Sequence, residues 1–256
     1  MKVAIITGAS SGLGRDFAKE MYKTKRADFF YLIARREDRL TKLKEELDGN
    51  AITISADLTT DEGLQKVKDA LSSNNPEVKY LINASGYGKF GLYNEISDED
   101  TKGMIDLNVT ALVRMTNIVL PYIVEGGKII QIASCAGFSV LPAFNVYAST
   151  KAFVVHYTKA LKYEVKPRKI TATAVCPCWI ETEFFDRAGY DATMPKSKKP
   201  MLKSEHVVKK ALKSADKGKT LCVISWYSKA QHVLGKLLPY TFTTKIWLKM
   251  LNKKIK

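Results

Sequence analysis

The stretch that most constrains this chain is Thr7-Gly-Ala-Ser-Ser-Gly-Leu-Gly14, set between a short β-rich run, Val3–Thr7, and a helical pattern over residues 12–22. Three glycines in eight residues let the backbone bend tightly between a strand and a helix. That turn presents backbone N–H groups at a helix N-terminus, where a pyrophosphate is attracted. Gly8, Ser10, Ser11, Gly12, Leu13 and Gly14 are therefore candidate phosphate-binding positions. The spacing is Gly-x-x-x-Gly-x-Gly rather than the commoner Gly-x-Gly-x-x-Gly.

The rest of the chain repeats the strand-then-helix alternation, which implies βαβ units and a parallel sheet. Strands are predicted over Val3–Thr7, Phe29–Ala34, and residues 52–55, 80–83, 128–132, 171–175 and 221–225. Helices are predicted over 12–22, 37–47, 61–71, 99–120 and 145–163, and from Ser204 as a cap to near Gly218. The fold class is thus α/β, a doubly wound parallel sheet of about seven strands with helices on both faces, in one domain over residues 1–225. Residues 181–203 lack clean periodicity and carry Gly189, Pro195 and Pro200. They read as an insertion of the kind that forms a substrate lid.

Three patterns carry chemistry. The second strand ends in Ala34-Arg35-Arg36, where a fold that prefers NAD usually places an acid for the ribose 2′-hydroxyl. Two guanidinium groups suit a 2′-phosphate instead, so NADP(H) is expected over NAD(H). Tyr147 and Lys151 stand four residues apart, on one face of a helix. A free phenol titrates near 10, and a neighbouring cation is expected to lower that value toward useful acid–base chemistry. Ser134 supplies a hydroxyl that could hold a substrate carbonyl against the same phenol.

These residues together resemble the short-chain dehydrogenase/reductases. The likeness runs over residues 1–225 and rests on Thr7–Gly14, Asp57-Leu58, Asn83 with Gly86, Asn108, Ser134, Tyr147 with Lys151, and Pro177 through Thr182. The resemblance implies a Rossmann-type sheet and a nicotinamide cofactor. It implies Tyr147 as proton donor or base, Ser134 orienting the carbonyl, Lys151 on the nicotinamide ribose, and Asn108 holding a relay water. It also implies Asp57 and Leu58 beside the adenine, Asn83 and Gly86 along the cofactor cleft, and Pro177, Ile180 and Thr182 near the carboxamide. Family members usually assemble as dimers or tetramers through the helices over 99–120 and 145–163, so a homo-oligomer is expected. Two positions depart from the family pattern: Asn83-Ala-Ser-Gly86 lacks the second asparagine, and Cys178 follows Pro177 where glycine is usual. Tyr87, Phe90, Phe138, Trp179 and Phe185 are the candidate substrate contacts, together with Ser134. Their aromatic character suits a hydrophobic ketone or alcohol such as a steroid, an acyl chain or a terpenoid. The closer alternatives are a 3-oxoacyl-thioester reductase and a hydroxysteroid dehydrogenase. A rival from another class is a regulator or scaffold that binds cofactor with little catalysis.

Charge divides the chain. Residues 1–195 hold 25 Lys/Arg against 24 Asp/Glu, whereas residues 196–256 hold 16 lysines against Glu205 and Asp216 alone. Residues 226–256 form a basic amphipathic extension with a proline break at Pro239. It is expected to dock on its own domain, with contact to an anionic membrane as the second reading. No nucleic-acid module is present in the sequence. The four cysteines show no metal or disulfide spacing, and no uninterrupted apolar run is long enough to span a bilayer. Reduced thiols and a cytoplasmic place, or a peripheral one at a membrane surface, are expected.

Overall fold

Strand β1 (Val3–Thr7) is buried along its whole length, which only a strand covered on both faces achieves. The computed structural model describes residues 1–189 and 201–251 of the chain. It contains a seven-stranded sheet in the order β3-β2-β1-β4-β5-β6-β7. The remaining strands are β2 (Phe29–Ala34), β3 (Ala51–Ser55), β4 (Val78–Asn83), β5 (Ile123–Ile132), β6 (Thr171–Cys176) and β7 (Leu221–Val223), and every neighbouring pair is parallel. Order reverses between β1 and β4, the place where the C-terminal strand edges open into a crevice.

Strand alternation sends successive side chains to opposite faces. Ala4 and Ile6 enter a core with Phe17 and Met21 of α1 (Gly12–Lys23), Leu40 of α2 (Glu37–Glu46), and Val207 and Leu212 of α8 (Ser204–Asp216). Val3 and Ile5 enter a second core with Leu64, Val67 and Leu71 of α3 (Asp61–Asn74) and Met115 and Val119 of α5 (Ala111–Val119). Each fully buried side chain of this size stabilises the fold by about 1.5–3 kcal/mol before entropy is counted.

Three differences from the sequence expectation have physical causes. The helix over 99–120 is broken into α4 (Asp98–Ile105), a π-helical turn (Asp106–Thr110), α5 and a 3-10 turn at Leu120–Tyr122. The π turn carries buried Asn108, and such insertions commonly re-aim a side chain at a functional site. An 18-residue window within Asp98–Tyr122 has a mean hydropathy of 1.2, long and apolar enough to cross a bilayer, but Met104, Leu112, Met115 and Val119 are buried in the protein core. Lys203, not Ser204, caps α8; the Ser204 hydroxyl instead donates to Asp16 of α1, fastening the two helices.

Helix α6 (Asn145–Glu164) carries Tyr147 and Lys151 on its buried face. Helix α7 (Phe184–Ala188) opens the expected lid segment, of which residues 190–200 lie outside the described residues. Helices α9 (Trp226–Leu237) and α10 (Tyr240–Met250) form the C-terminal extension. They dock on the segment after β5: Gln231 Nε2 donates to Ser139 Oγ at 3.0 Å, and Trp247 Nε1 donates to the Pro142 carbonyl at 2.8 Å.

Candidate active site

A cleft of about 2210 Å³ lies over the C-terminal edge of the sheet, from the β1–α1 turn to the C-terminal helices. At one end Gly8, Ser10, Ser11, Gly12 and Leu13 line it. Gly8 has φ +67°, and a Cβ there would fall 2.9 Å from backbone atoms of Ala84 and Ser85, so only glycine lets the turn rest on the end of β4. Gly14 faces the Gly8 carbonyl instead, seating α1 against the turn away from the cleft. The Thr7 hydroxyl accepts N–H bonds from Ala84 (3.1 Å) and Ser85 (3.2 Å), tying β1 to β4 at the position where the second asparagine is lacking.

Asn83 does not line the cleft as expected. Its Nδ2 donates to Gln131 Oε1 at 2.9 Å and Thr116 Oγ1 at 3.1 Å, bracing β4 against β5 and α5 behind the site. The side chain at 83 falls on the α5 face of the sheet, and it is the following residues, Ala84 to Gly86, that line the cleft.

Arg35 and Arg36 both line the cleft but face different partners. Arg36 donates to Ser10 Oγ through Nε and Nη2, both 3.2 Å, and to Ser11 Oγ at 2.7 Å. Its Nη1 stands 3.0 Å from Glu183, whose second oxygen takes Arg39 Nη1 at 2.6 Å. Arg39 and then Arg36 hold the Glu183 carboxyl below its ordinary value. Arg35 turns toward Asp57 at 3.5 Å. Burial pulls the Asp57 carboxyl upward, but bonds from the Thr59 N–H and hydroxyl, with Arg35, leave it lowered on balance. Asp57 and buried Leu58 line the same end. Arg39 and Glu183 were not anticipated from the sequence. Arg39 lies three residues beyond Arg36 on one helix face, a readable signal; Glu183 comes from a distant loop and had none.

Tyr147, Ser134 and Lys151 meet at the middle of the cleft, and all three are buried. The Lys151 ammonium donates to the Ile132 carbonyl at 2.8 Å and lies 5.6 Å from the Tyr147 ring centroid. Burial brings Lys151 down to about 8, against an opposing pull from Cys176. Lys151 does not lower the phenol as the sequence predicts. Burial pushes Tyr147 well above its ordinary value, and the Ser134 hydroxyl, not the lysine, opposes that rise. Desolvation of the anionic form outweighs a cation that is itself buried and turned toward a carbonyl. Gly86 sits between these groups: a Cβ there would fall 2.8 Å from Asn108 Oδ1 and 3.3 Å from Lys151 Nζ.

Asn108 is fully buried and does not itself line the cleft. Its Oδ1 accepts the Tyr87 N–H at 3.0 Å, and its Nδ2 donates to the Tyr87 carbonyl at 2.8 Å and to Thr150 Oγ1 at 3.1 Å. It thereby clamps the segment after β4 onto α6.

Pro177, Cys178, Ile180 and Thr182 line the loop after β6, and the Pro177 carbonyl accepts the Cys135 N–H at 2.8 Å. Beyond Tyr147 the walls are aromatic. Tyr87 and Phe90 line the cleft, Phe90 stacks on Phe144 at 3.6 Å, and Trp179 stacks on Phe185 at 5.4 Å. Phe138 is the exception among the candidate substrate contacts. It lies off the cleft, against the His232 ring at 4.3 Å, where it anchors α9. Leu141, Phe184, Trp226, Leu234, Ile246 and Trp247 also line this end. The four from the C-terminal extension belong to a segment whose sequence predicts self-docking, and docking brings them onto the cleft wall.

Comparison with known proteins agrees with this architecture. Residues 2–192 match the short chain dehydrogenase family. The very-long-chain 3-oxoacyl-CoA reductase of Rattus norvegicus is 31% identical over 224 residues, 82% of this chain and 67% of the relative. A short-chain dehydrogenase from Sphingobium yanoikuyae in complex with NADPH superposes with a TM-score of 0.80 at 30% identity, covering 93% of this chain and 94% of that one. A 3-ketoacyl-(acyl-carrier-protein) reductase from Brucella melitensis complexed with NADH gives a TM-score of 0.72 at 26% identity, covering 86% of this chain and 95% of that one. With a family match over most of its length, a parallel seven-stranded sheet and a cleft at the strand-order reversal, the chain is a member of the short-chain dehydrogenase/reductase family of oxidoreductases.

Proposed function

We propose that the protein is an NADP(H)-dependent reductase of a hydrophobic carbonyl compound, with an acyl-type ketone as the first candidate. One observation carries this reading: a buried Tyr147–Ser134 pair stands in a single cleft between an arginine pair and an aromatic wall. The residues present fit a nicotinamide dinucleotide, since the Gly8–Leu13 turn offers N–H groups to a pyrophosphate and Arg36 and Arg39 offer guanidinium groups to a 2′-phosphate. When bound, that cofactor supplies or accepts the hydride.

The chain's own groups do the rest. Burial keeps the Tyr147 phenol protonated at neutral pH, the state required of an acid that delivers a proton to a carbonyl oxygen. Ser134 faces the same point and positions the carbonyl by donating to its oxygen. Lys151 lies 5.6 Å from the Tyr147 ring centroid and serves as the proposed ribose anchor. Asn108 fixes the Tyr87 segment that walls the pocket. The acyl preference is supported by the names of the rat and Brucella relatives and by the length of the aromatic and aliphatic wall, which runs on to Ile246 and Trp247.

The test is NADPH oxidation with 3-oxoacyl thioesters, steroids and small aldehydes, with Tyr147→Phe run in parallel. Turnover on an apolar ketone is expected to fall by a factor of about 10²–10⁴ in the variant, the range of a lost general acid, while NADPH still binds. NADPH binding with no turnover on any compound favours the second reading, a cofactor-binding regulator; equal turnover in the Phe variant removes Tyr147 from the chemistry.

The outer face of α9 and α10 is proposed to lie on an anionic bilayer. Of the exposed large hydrophobics among the described residues, Val233, Leu237, Tyr240, Phe242 and Leu248 fall on α9 and α10 without lining the cleft, so they form a patch rather than scattered singles. Lys229, Lys236, Lys245 and Lys249 flank them and no acid follows Asp216, so a second copy of the same face would be repelled while an anionic surface is attracted.

A further inference from the structure

Among the described residues, Cys135 and Cys178 bring their sulfurs within 2.6 Å of each other inside the cleft, with the Cys135 thiol donating to Cys178. They come from different strand ends: Cys135 directly follows Ser134 after β5, and Cys178 follows Pro177 after β6. The backbone already holds these segments side by side through the Cys135 N–H and the Pro177 carbonyl. We infer that Cys135 and Cys178 are a dithiol that a hydroperoxide entering the cleft converts to a disulfide, making the active site itself a modification site.

The environment fits that division of labour. Cys178 is the more exposed of the two. Its sulfur is held below the usual thiol value by donors, first the Cys135 thiol, then Ser228, the Trp179 N–H and Tyr227, against the upward pull of burial. Cys135 is buried and held above it, chiefly because its proton is committed to Cys178. Cys178 is therefore the attacking thiolate and Cys135 the resolving thiol. In the first step the Cys178 sulfur attacks the peroxide, the O–O bond breaks, and a sulfenic acid and water form. In the second, the Cys135 sulfur attacks the Cys178 sulfur, the S–O bond breaks, and a second water leaves. Two thiols and one hydroperoxide thus give one disulfide, with the oxidant reduced to two waters, or to a water and an alcohol. The other cysteines are outside this chemistry: Cys176 and Cys222 are buried and do not line the cleft.

The disulfide would tie the residue after Ser134 to the loop bearing Ile180 and Thr182 and withdraw the sulfur acceptor from Ser228 at the start of α9. Reductase activity is expected to fall on oxidation and return with a dithiol reductant. That activity arm rests on the function proposed above; the chemical arm does not.

The experiment treats the full-length protein with hydrogen peroxide, alkylates, and maps a non-reducing digest by mass spectrometry. The expected result is loss of two hydrogens and a Cys135–Cys178 linked peptide, with Cys176 and Cys222 still alkylated. Cys135→Ser is expected to stop at a Cys178 sulfenic acid that a 1,3-diketone labels. Cys178→Gly is expected to leave Cys135 unoxidised. Four intact thiols at peroxide concentrations that oxidise glutathione would overturn the proposal, as would further oxidation of Cys178 without a link. A linked peptide with no turnover on any substrate keeps the site and removes the reductase reading instead.

Discussion

Lys151 is a cation kept in a place that disfavours charge. Burial brings it from the usual lysine value of 10.5 to about 8, so the ammonium is present at neutral pH and is lost as pH rises through 8. Reduction at saturating NADPH is therefore expected to be level near pH 7 and to fall about tenfold per pH unit on the alkaline side of 8. Stability moves the other way. Between 8 and 10.5 the unfolded chain binds the proton more than the folded one, so the lysine's penalty on folding is full below 8 and is withdrawn across that window. Lys151→Met, measured by pH–rate profile and by denaturant unfolding at pH 7.5 and 9.5, should abolish activity and flatten the stability difference. An alkaline limb centred near 10 would show that Lys151 is not the titrating group. Spacing placed Tyr147 and Lys151 on one buried helix face, because a helix fixes i and i+4 together. Which effect dominates the phenol was illegible, since desolvation depends on what covers α6. Glu183 and the turned-away Phe138 were illegible for a related reason: both are set by loops whose paths no local periodicity records.

The C-terminal helices show the same limit one level up. Their apolar spacing and lysines were plain in the sequence, and self-docking was the expected arrangement. Gln231, Trp247 and Thr244 carry it out by bonding to Ser139, Pro142 and Val140, while Ile246, Trp247 and Met250 also wall the cleft. One pair of helices thus serves both the cleft and the outer apolar patch. The helix over 99–120 was legible as a helix but not as a broken one, because the π turn at Asp106–Thr110 answers to Asn108's partners on other elements. For α9 and α10 the expected outcome is co-sedimentation with phosphatidylserine vesicles and little with neutral phosphatidylcholine. A Leu237→Glu/Phe242→Glu variant should lose it, since both side chains are largely exposed and contribute little to the core. No sedimentation on anionic vesicles sinks the membrane proposal; a mass in solution twice the chain's that the same variant halves would assign the patch to a second copy.

At the scale of the whole molecule, the parallel sheet was implied by the βαβ alternation and its doubly wound form by the family resemblance, whereas the strand order itself belongs to the structure. The cleft follows from that order, because the turns after β1, β2, β4, β5 and β6 all open at one edge. A cofactor held there touches both halves of the sheet, so its binding free energy should appear in global unfolding rather than in one loop. At a hundredfold excess over Kd, such a ligand stabilises by about 2.7 kcal/mol. For a domain of this size that corresponds to a rise in Tm of about 5–10 °C. NADPH is expected to give that rise and NADH, at the same concentration, a smaller one. The difference should come from Arg36 and Arg39, so an Arg36→Ala/Arg39→Ala variant is expected to bring the NADPH shift down to that of NADH. Glu183→Gln should enlarge the NADPH shift, because the carboxylate now occupies both guanidinium groups at 3.0 and 2.6 Å. All three side chains are partly exposed, so the Glu183 effect is expected to be only a few-fold in affinity. A larger shift with NADH in the unaltered protein would reverse the cofactor assignment and leave Arg36 and Arg39 as structural partners of Glu183, with Arg36 also held by Ser10 and Ser11.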